Sequence, residues 1–88
     1  MGRRDRSAIL GEVMQALSEA GGAGDTRLTA VATRTNLPYD RLQEYVRDLQ
    51  ARGLVDPQNP FRLTPEGREL LAAFRSWRER LGMFGLLP

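Results

Sequence analysis

The stretch NLPYDRLQEYVRDLQARGLV, Asn36 to Val55, restricts the fold more than any other part of the chain. Asn36 tolerates the left-handed backbone of a sharp turn, and Leu37 is placed to pack inward beneath it. Pro38 suits the first position of a helix, where its missing N–H would go unbonded in any case. Leu42, Tyr45, Val46 and Leu49 then recur at three- and four-residue spacing and share one face. Gly53 is the expected helix stop. Leu54-Val55 reads as a short apolar strand. A turn, an amphipathic helix and a strand thus follow one another with no room for a long loop between them.

The flanking sequence supplies what this unit needs to bury its apolar face. Upstream, Asp5 or Ser7 is expected to cap a first helix, with Ile9, Leu10, Val13, Met14 and Leu17 on its inner face. Gly21, Gly22 and Gly24 end it. A short second helix is predicted over about Arg27 to Arg34, capped by Asp25 or Thr26, with Leu28, Val31 and Ala32 turned inward. Its threonines (Thr29, Thr33, Thr35) lower helix propensity, so packing must hold it. Downstream, Asp56-Pro57-Gln58-Asn59-Pro60 is dense in turn residues, and Phe61-Arg62-Leu63 alternates as a half-buried return strand does. Thr64-Pro65-Glu66 opens a last helix with a cap, a proline and an acid in the first turn. Leu70, Ala73, Phe74, Trp77 and Leu81 form its apolar stripe, and Leu70 and Phe74 are expected to face the core. From Pro65 to Leu81 this helix is ~25 Å long.

The expected architecture is one mainly α domain over residues 1–88 with a small β-hairpin: a winged helix-turn-helix. Its core spans 5–64 with a wing at 54–63, and its C-terminal helix spans 65–83. At 88 residues such a chain buries only ~60–65% of its unfolded surface, so association is a natural supplement. The chain has no cysteine and no histidine. Disulfides, thiolate metal sites and the commonest general base are therefore excluded, and no enzymatic role, metal or cofactor is expected. No apolar run approaches the ~20 residues that span a bilayer, and no signal-type core follows the charged N-terminus. The expectation is a cytoplasmic protein without a membrane partner. All thirteen basic residues are arginine, for a net charge of +2. Arginine suits phosphate and guanine edges, while the missing lysine also fits a GC-rich coding bias.

NLPYDRLQEYVRDLQARGLV followed by FRLTPEGRELL resembles the winged helix-turn-helix domain of small archaeal-type transcriptional regulators and chromatin-associated proteins. The shared features are an asparagine-leucine turn, a tyrosine-led recognition helix, a GLV strand, and the LT-x-x-G-x-x-LL entry into the last helix. The similarity runs from about Arg4 to Leu81. Pro38 replaces a frequent serine, Gln43 and Glu44 replace frequent lysines, and the last helix is shorter than in coiled-coil members. The resemblance implies binding to duplex DNA and, as in several members, a homodimer through the last helix as an antiparallel coiled coil.

On that reading the third helix enters the major groove. Arg41 and Arg47 are candidates for guanine, Gln43 for adenine, and Tyr39 for a phosphate or a thymine methyl. Arg27 and Arg34 on the preceding helix, Arg62 on the wing, and Arg3, Arg4 and Arg6 on the N-terminal arm are candidate phosphate contacts. The same ridge also carries Asp40, Glu44 and Asp48, an acidic row that phosphate repels. The stripe continuing through Trp77, Leu81, Phe84 and Leu86 exceeds what one small core needs and reads as a dimer interface. The alternative is a winged-helix module that binds another protein and no DNA.

Overall fold

The computed structural model describes residues 6–86. In chain order it comprises α1 (Arg6–Gly22), α2 (Leu28–Thr35), α3 (Tyr39–Ala51), β1 (Val55–Asp56), β2 (Asn59–Leu63) and α4 (Pro65–Met83). The two strands pair antiparallel, with Val55 opposite Leu63 and Asp56 opposite Asn59. This is the helix, helix, turn, helix, hairpin, long-helix order read from the sequence. Asp5, one of the two expected caps of α1, lies outside the described residues.

The helices α1 to α4 all end in the same hydrogen-bond pattern. At Asn36 the backbone turns left-handed (φ 58°, ψ 39°). The Leu37 N–H then donates to the Ala32 carbonyl at 3.0 Å and the Asn36 N–H to that of Thr33 at 3.2 Å. These paired bonds satisfy carbonyls that a helix end leaves open. Gly53, at φ +76°, repeats the pattern: Leu54 donates to Leu49 at 3.0 Å and Gly53 to Gln50 at 3.1 Å. Gly24 and Gly85 close α1 and α4 in the same way.

The N-terminal ends differ from expectation in two places. Neither Asp25 nor Thr26 stands at the cap of α2, because the helix begins at Leu28. Arg27 occupies the cap position without a side-chain bond, and Asp25 instead accepts from the Arg27 N–H at 3.2 Å. Pro38 is not the first helical residue of α3 but its cap, with ψ 146°; its ring fixes φ and leaves ψ extended. At α4 the expectation holds. The Thr64 hydroxyl accepts from the Gly67 N–H at 3.0 Å and donates to the Gly53 carbonyl at 2.7 Å, which ties the start of α4 to the end of α3.

The core joins α1, α2, α3 and the hairpin. Val13, Met14, Leu17, Val31, Leu42, Leu49 and Val55 are its fully enclosed side chains. Thr35 is buried among them, and its hydroxyl is satisfied by donating to the Val31 carbonyl at 2.8 Å. The last helix takes a smaller share than its stripe predicts. Leu70, expected in the core, is 46% exposed, and the buried positions of α4 are Gly67 and Leu71. Phe74 is half-buried and packs on the core. Leu71 lies ~100° around the helix from Leu70, so the core-facing side of α4 is rotated away from its apolar stripe. Gly67 permits the close approach: a side chain there would meet the Leu54 carbonyl. Gly11 of α1 likewise accepts the Phe74 ring.

Candidate nucleic-acid interface

The outward face of α3 is set by the burial of its inner one. With Leu42, Tyr45, Val46 and Leu49 enclosed, Asp40, Arg41, Glu44 and Arg47 are directed into solvent. Tyr39, at the first turn, is 41% exposed. Among the described residues, Arg41 and Arg47 form no ion pair, which leaves both guanidinium groups available for an anion.

The acidic row read from the sequence is not uniform. Asp48, half-buried, is held between two arginines: Arg6 at 2.5 Å and Arg52 at 2.8 Å. Their hydrogen bonds, that of Arg52 first, keep the Asp48 carboxyl below the usual carboxylate range. The Arg6 guanidinium also lies over the Tyr45 ring, 5.6 Å from its centre, within cation–π range. The three charged groups together carry a net positive charge. One third of the row therefore adds no negative field at this end of α3. The i,i+4 pairing with Arg52 was visible in the sequence. The pairing with Arg6, 42 residues away, was not.

The other candidates fall in two places. Gln43, Arg47, Leu28 and Pro60 line one shallow hollow of about 170 Å³, so α2, α3 and the wing strand converge there. Arg27 adjoins Leu28 at the α2 end, and its Nε donates to Asp25 at 3.1 Å. This bond lowers the Asp25 pKa and raises that of Arg27. Arg62 is exposed on β2, two residues past Pro60. Arg34 does not join this group. It faces α1, bonded to Glu19 at 3.1 Å, in a polar hollow shared with Glu12, Gln15 and Arg78. Arg3 and Arg4 lie outside the described residues, and Arg6, expected on the same arm, is instead the first residue of α1 and is engaged by Asp48. Of the candidate interface residues on α4 and its end, Trp77, Phe84 and Leu86 are 60%, 76% and 68% exposed, and Leu81 is half-buried.

The hairpin is short and secured to α3. The Gln50 side-chain amide donates to the Asp56 carbonyl at 3.0 Å. Asp56 and Asn59 accept from the Gln58 and Phe61 N–H groups at 2.8 and 3.0 Å, forming two Asx turns. A helix held against a second helix by a tight turn, with a tied hairpin beside it, is matched by the family model for the winged helix-turn-helix over residues 3–81. The chain belongs to that family. No curated protein and no solved structure matches it. Membership places this winged helix-turn-helix among DNA-binding or regulatory domains in general, with α3 in the position of the recognition helix. Among the described residues, no helix is long and apolar enough to cross a membrane, and no group of acidic side chains is arranged to hold a metal ion.

Proposed function

We propose that this winged helix-turn-helix binds duplex DNA non-catalytically, in the manner of the small archaeal-type regulators and chromatin-associated proteins it resembles. It inserts α3 into the major groove, acts as a dimer through α4, and regulates transcription or organises DNA in the cytoplasm. The observation that carries this reading is the pair of uncommitted arginines, Arg41 and Arg47, on the outward face of α3, beside an Asp48 already neutralised by Arg6 and Arg52. Phosphates provide most of the attraction, with Arg62 and the arginine at the start of α2 flanking the helix. The Arg27–Asp25 pair is exposed to solvent and such surface pairs hold weakly, so a phosphate can recruit the arginine.

The test is a fluorescence-anisotropy titration of duplex DNA across a series of salt concentrations. Affinity is expected to fall steeply with salt, and Arg41→Ala with Arg47→Ala to flatten the log–log slope by ~0.9 for each phosphate that is no longer neutralised. Absence of binding at low salt ends the DNA reading. Unchanged affinity in the double variant ends groove insertion by α3. A second reading, a module that binds another protein, is favoured by the exposed Trp77 and Phe84; its signature is partner capture without DNA affinity.

A further inference from the structure

An apolar groove of about 580 Å³ lies between α1 and α4, floored by Met14 and Leu49 and walled by Leu10, Leu54, Leu70 and Phe74. Its size falls within the ~300–1,000 Å³ of small-molecule sites. The rotation of α4 creates it. Leu70 stands beside the core instead of in it, 46% exposed. The small Ala73, one turn further on the same side, fills little of the space that is left.

The polar groups of the groove are gathered at one end. Among the described residues that line it, the charged ones are Arg6 and Arg52, and no carboxylate joins them. Both arginines bond Asp48, Arg6 through Nη2 at 2.5 Å and Arg52 through Nε at 2.8 Å, so their guanidinium groups are neighbours. Ser7 follows Arg6 and adds a hydroxyl at the same end. Two guanidinium groups against the one Asp48 carboxylate leave an excess of one positive charge. A guanidinium has five N–H donors, so a bond to Asp48 leaves each arginine with donors for a second acceptor. One further carboxylate balances the charge and can accept from both. A dianion would overshoot that balance, and a cation would meet two arginines. The polar hollow beside α2 makes the contrast. There Glu12 and Glu19 match Arg34 and Arg78 in number, and no charge is left over to select a ligand.

The length of the groove sets the other half of the ligand. From Ser7 to Met14 the first helix advances ~10 Å at 1.5 Å per residue. That is room for an extended chain of medium length, its head at Arg6 and its tail against Met14 and Phe74.

We propose that the groove between α1 and α4 binds an amphipathic monocarboxylate, its head held by Arg6 and Arg52 and its apolar chain laid against Leu10, Leu70 and Phe74. The inference does not rest on the DNA reading, and its test contains no DNA.

Octanoate is the probe, titrated into isotope-labelled protein and followed by backbone amide shifts. The expected result is a saturable set of shifts centred on Leu10, Gly11, Leu54 and Ala73. Hexanoate should bind at least about fourfold more weakly, because its shorter chain covers less of the apolar wall. Octylammonium, with the same chain and the opposite charge, should bind at least about tenfold more weakly. Arg52→Gln should weaken octanoate by about fivefold or more and leave octanol within about twofold. Equal binding of octanoate and octylammonium overturns the arginine-held head, and equal binding of octanoate and hexanoate overturns the apolar wall. Shifts confined to the stretch from Trp77 to Phe84 overturn the site. Absence of saturable shifts overturns the proposal outright. If the same amides move instead as protein concentration rises, the occupant is a second copy and the proposal fails.

Discussion

In α3 every large apolar side chain beyond Tyr39 of the first turn (Leu42, Tyr45, Val46 and Leu49) is buried. In α4, which carries Leu70, Leu71, Phe74, Trp77, Leu81 and Met83, only Leu71 is. The shorter helix is clamped from within. Its inner face fills the core, both its ends are fixed by turns, and its outer face is left polar. The longer helix is attached along its first half by Gly67, Leu71 and Phe74 and carries a second apolar side that the fold does not use. The contrast separates two duties that one amphipathic pattern usually merges. An apolar stripe used up by its own core leaves a helix free to present charges, whereas one left over presents itself. The charges of α3 and the apolar ribbon of α4 are accordingly the two surfaces that the fold leaves exposed.

The largest effect expected from that contrast is on stability. Leu49→Ala empties a fully enclosed site and should cost ~2–5 kcal/mol, whereas Leu70→Ala should change monomer stability by less than ~0.5 kcal/mol. Urea denaturation at low protein concentration measures both, and comparable losses would dissolve the distinction between the helices. A smaller effect is expected where the two helices meet. Thr64→Ala removes the cap of α4 and its bond to the Gly53 carbonyl, and should cost ~1–2 kcal/mol. Thr64→Ser, which keeps both bonds, should recover most of that loss in the same denaturation curves.

The smallest effect concerns Asp48. Its carboxyl pKa is depressed in the fold by Arg52 and Arg6, so its contribution is present above the ordinary aspartate value of ~3.9. It is lost as pH falls through the lower folded value. Asp48→Asn should therefore lower the urea midpoint slightly at pH 7 and by less at pH 3. An equal shift at both pH values would show that the residue acts by packing and not by charge.

The fold was legible because its punctuation is local. Asn36 and Gly53, and Thr64 as the cap of α4, act through bonds to residues within about one turn, and these roles can be read from their chemistry alone. The buried face of α3 was legible because its apolar residues and its core contacts coincide. In α4 they do not. Periodicity found the stripe of Leu70, Phe74, Trp77 and Leu81, of which Leu70 and Trp77 are exposed and Phe74 and Leu81 half-buried. The docking side depends on Gly67, a residue that contributes by having no side chain and so leaves no hydropathic signal. The charge environment of α3 was hidden for a different reason. Arg6 reaches Asp48 only because α1 crosses the third helix, a relation that no spacing encodes, and Arg34 is turned toward Glu19 by the same packing.

The Thr64 clasp has a further consequence for the hairpin. The Thr64 hydroxyl donates to the Gly53 carbonyl at 2.7 Å, its N–H donates to the Leu54 carbonyl at 3.1 Å, and its side chain starts α4. The segment between residues 54 and 63 thus leaves and re-enters the body of the protein through one fixed gateway. Because loop closure costs only ~0.6 kcal/mol for each doubling of length, the tip around Pro57 and Gln58 is a natural site for lengthening or exchange. A longer basic arm or a reporter peptide grafted there would leave the helices where they are.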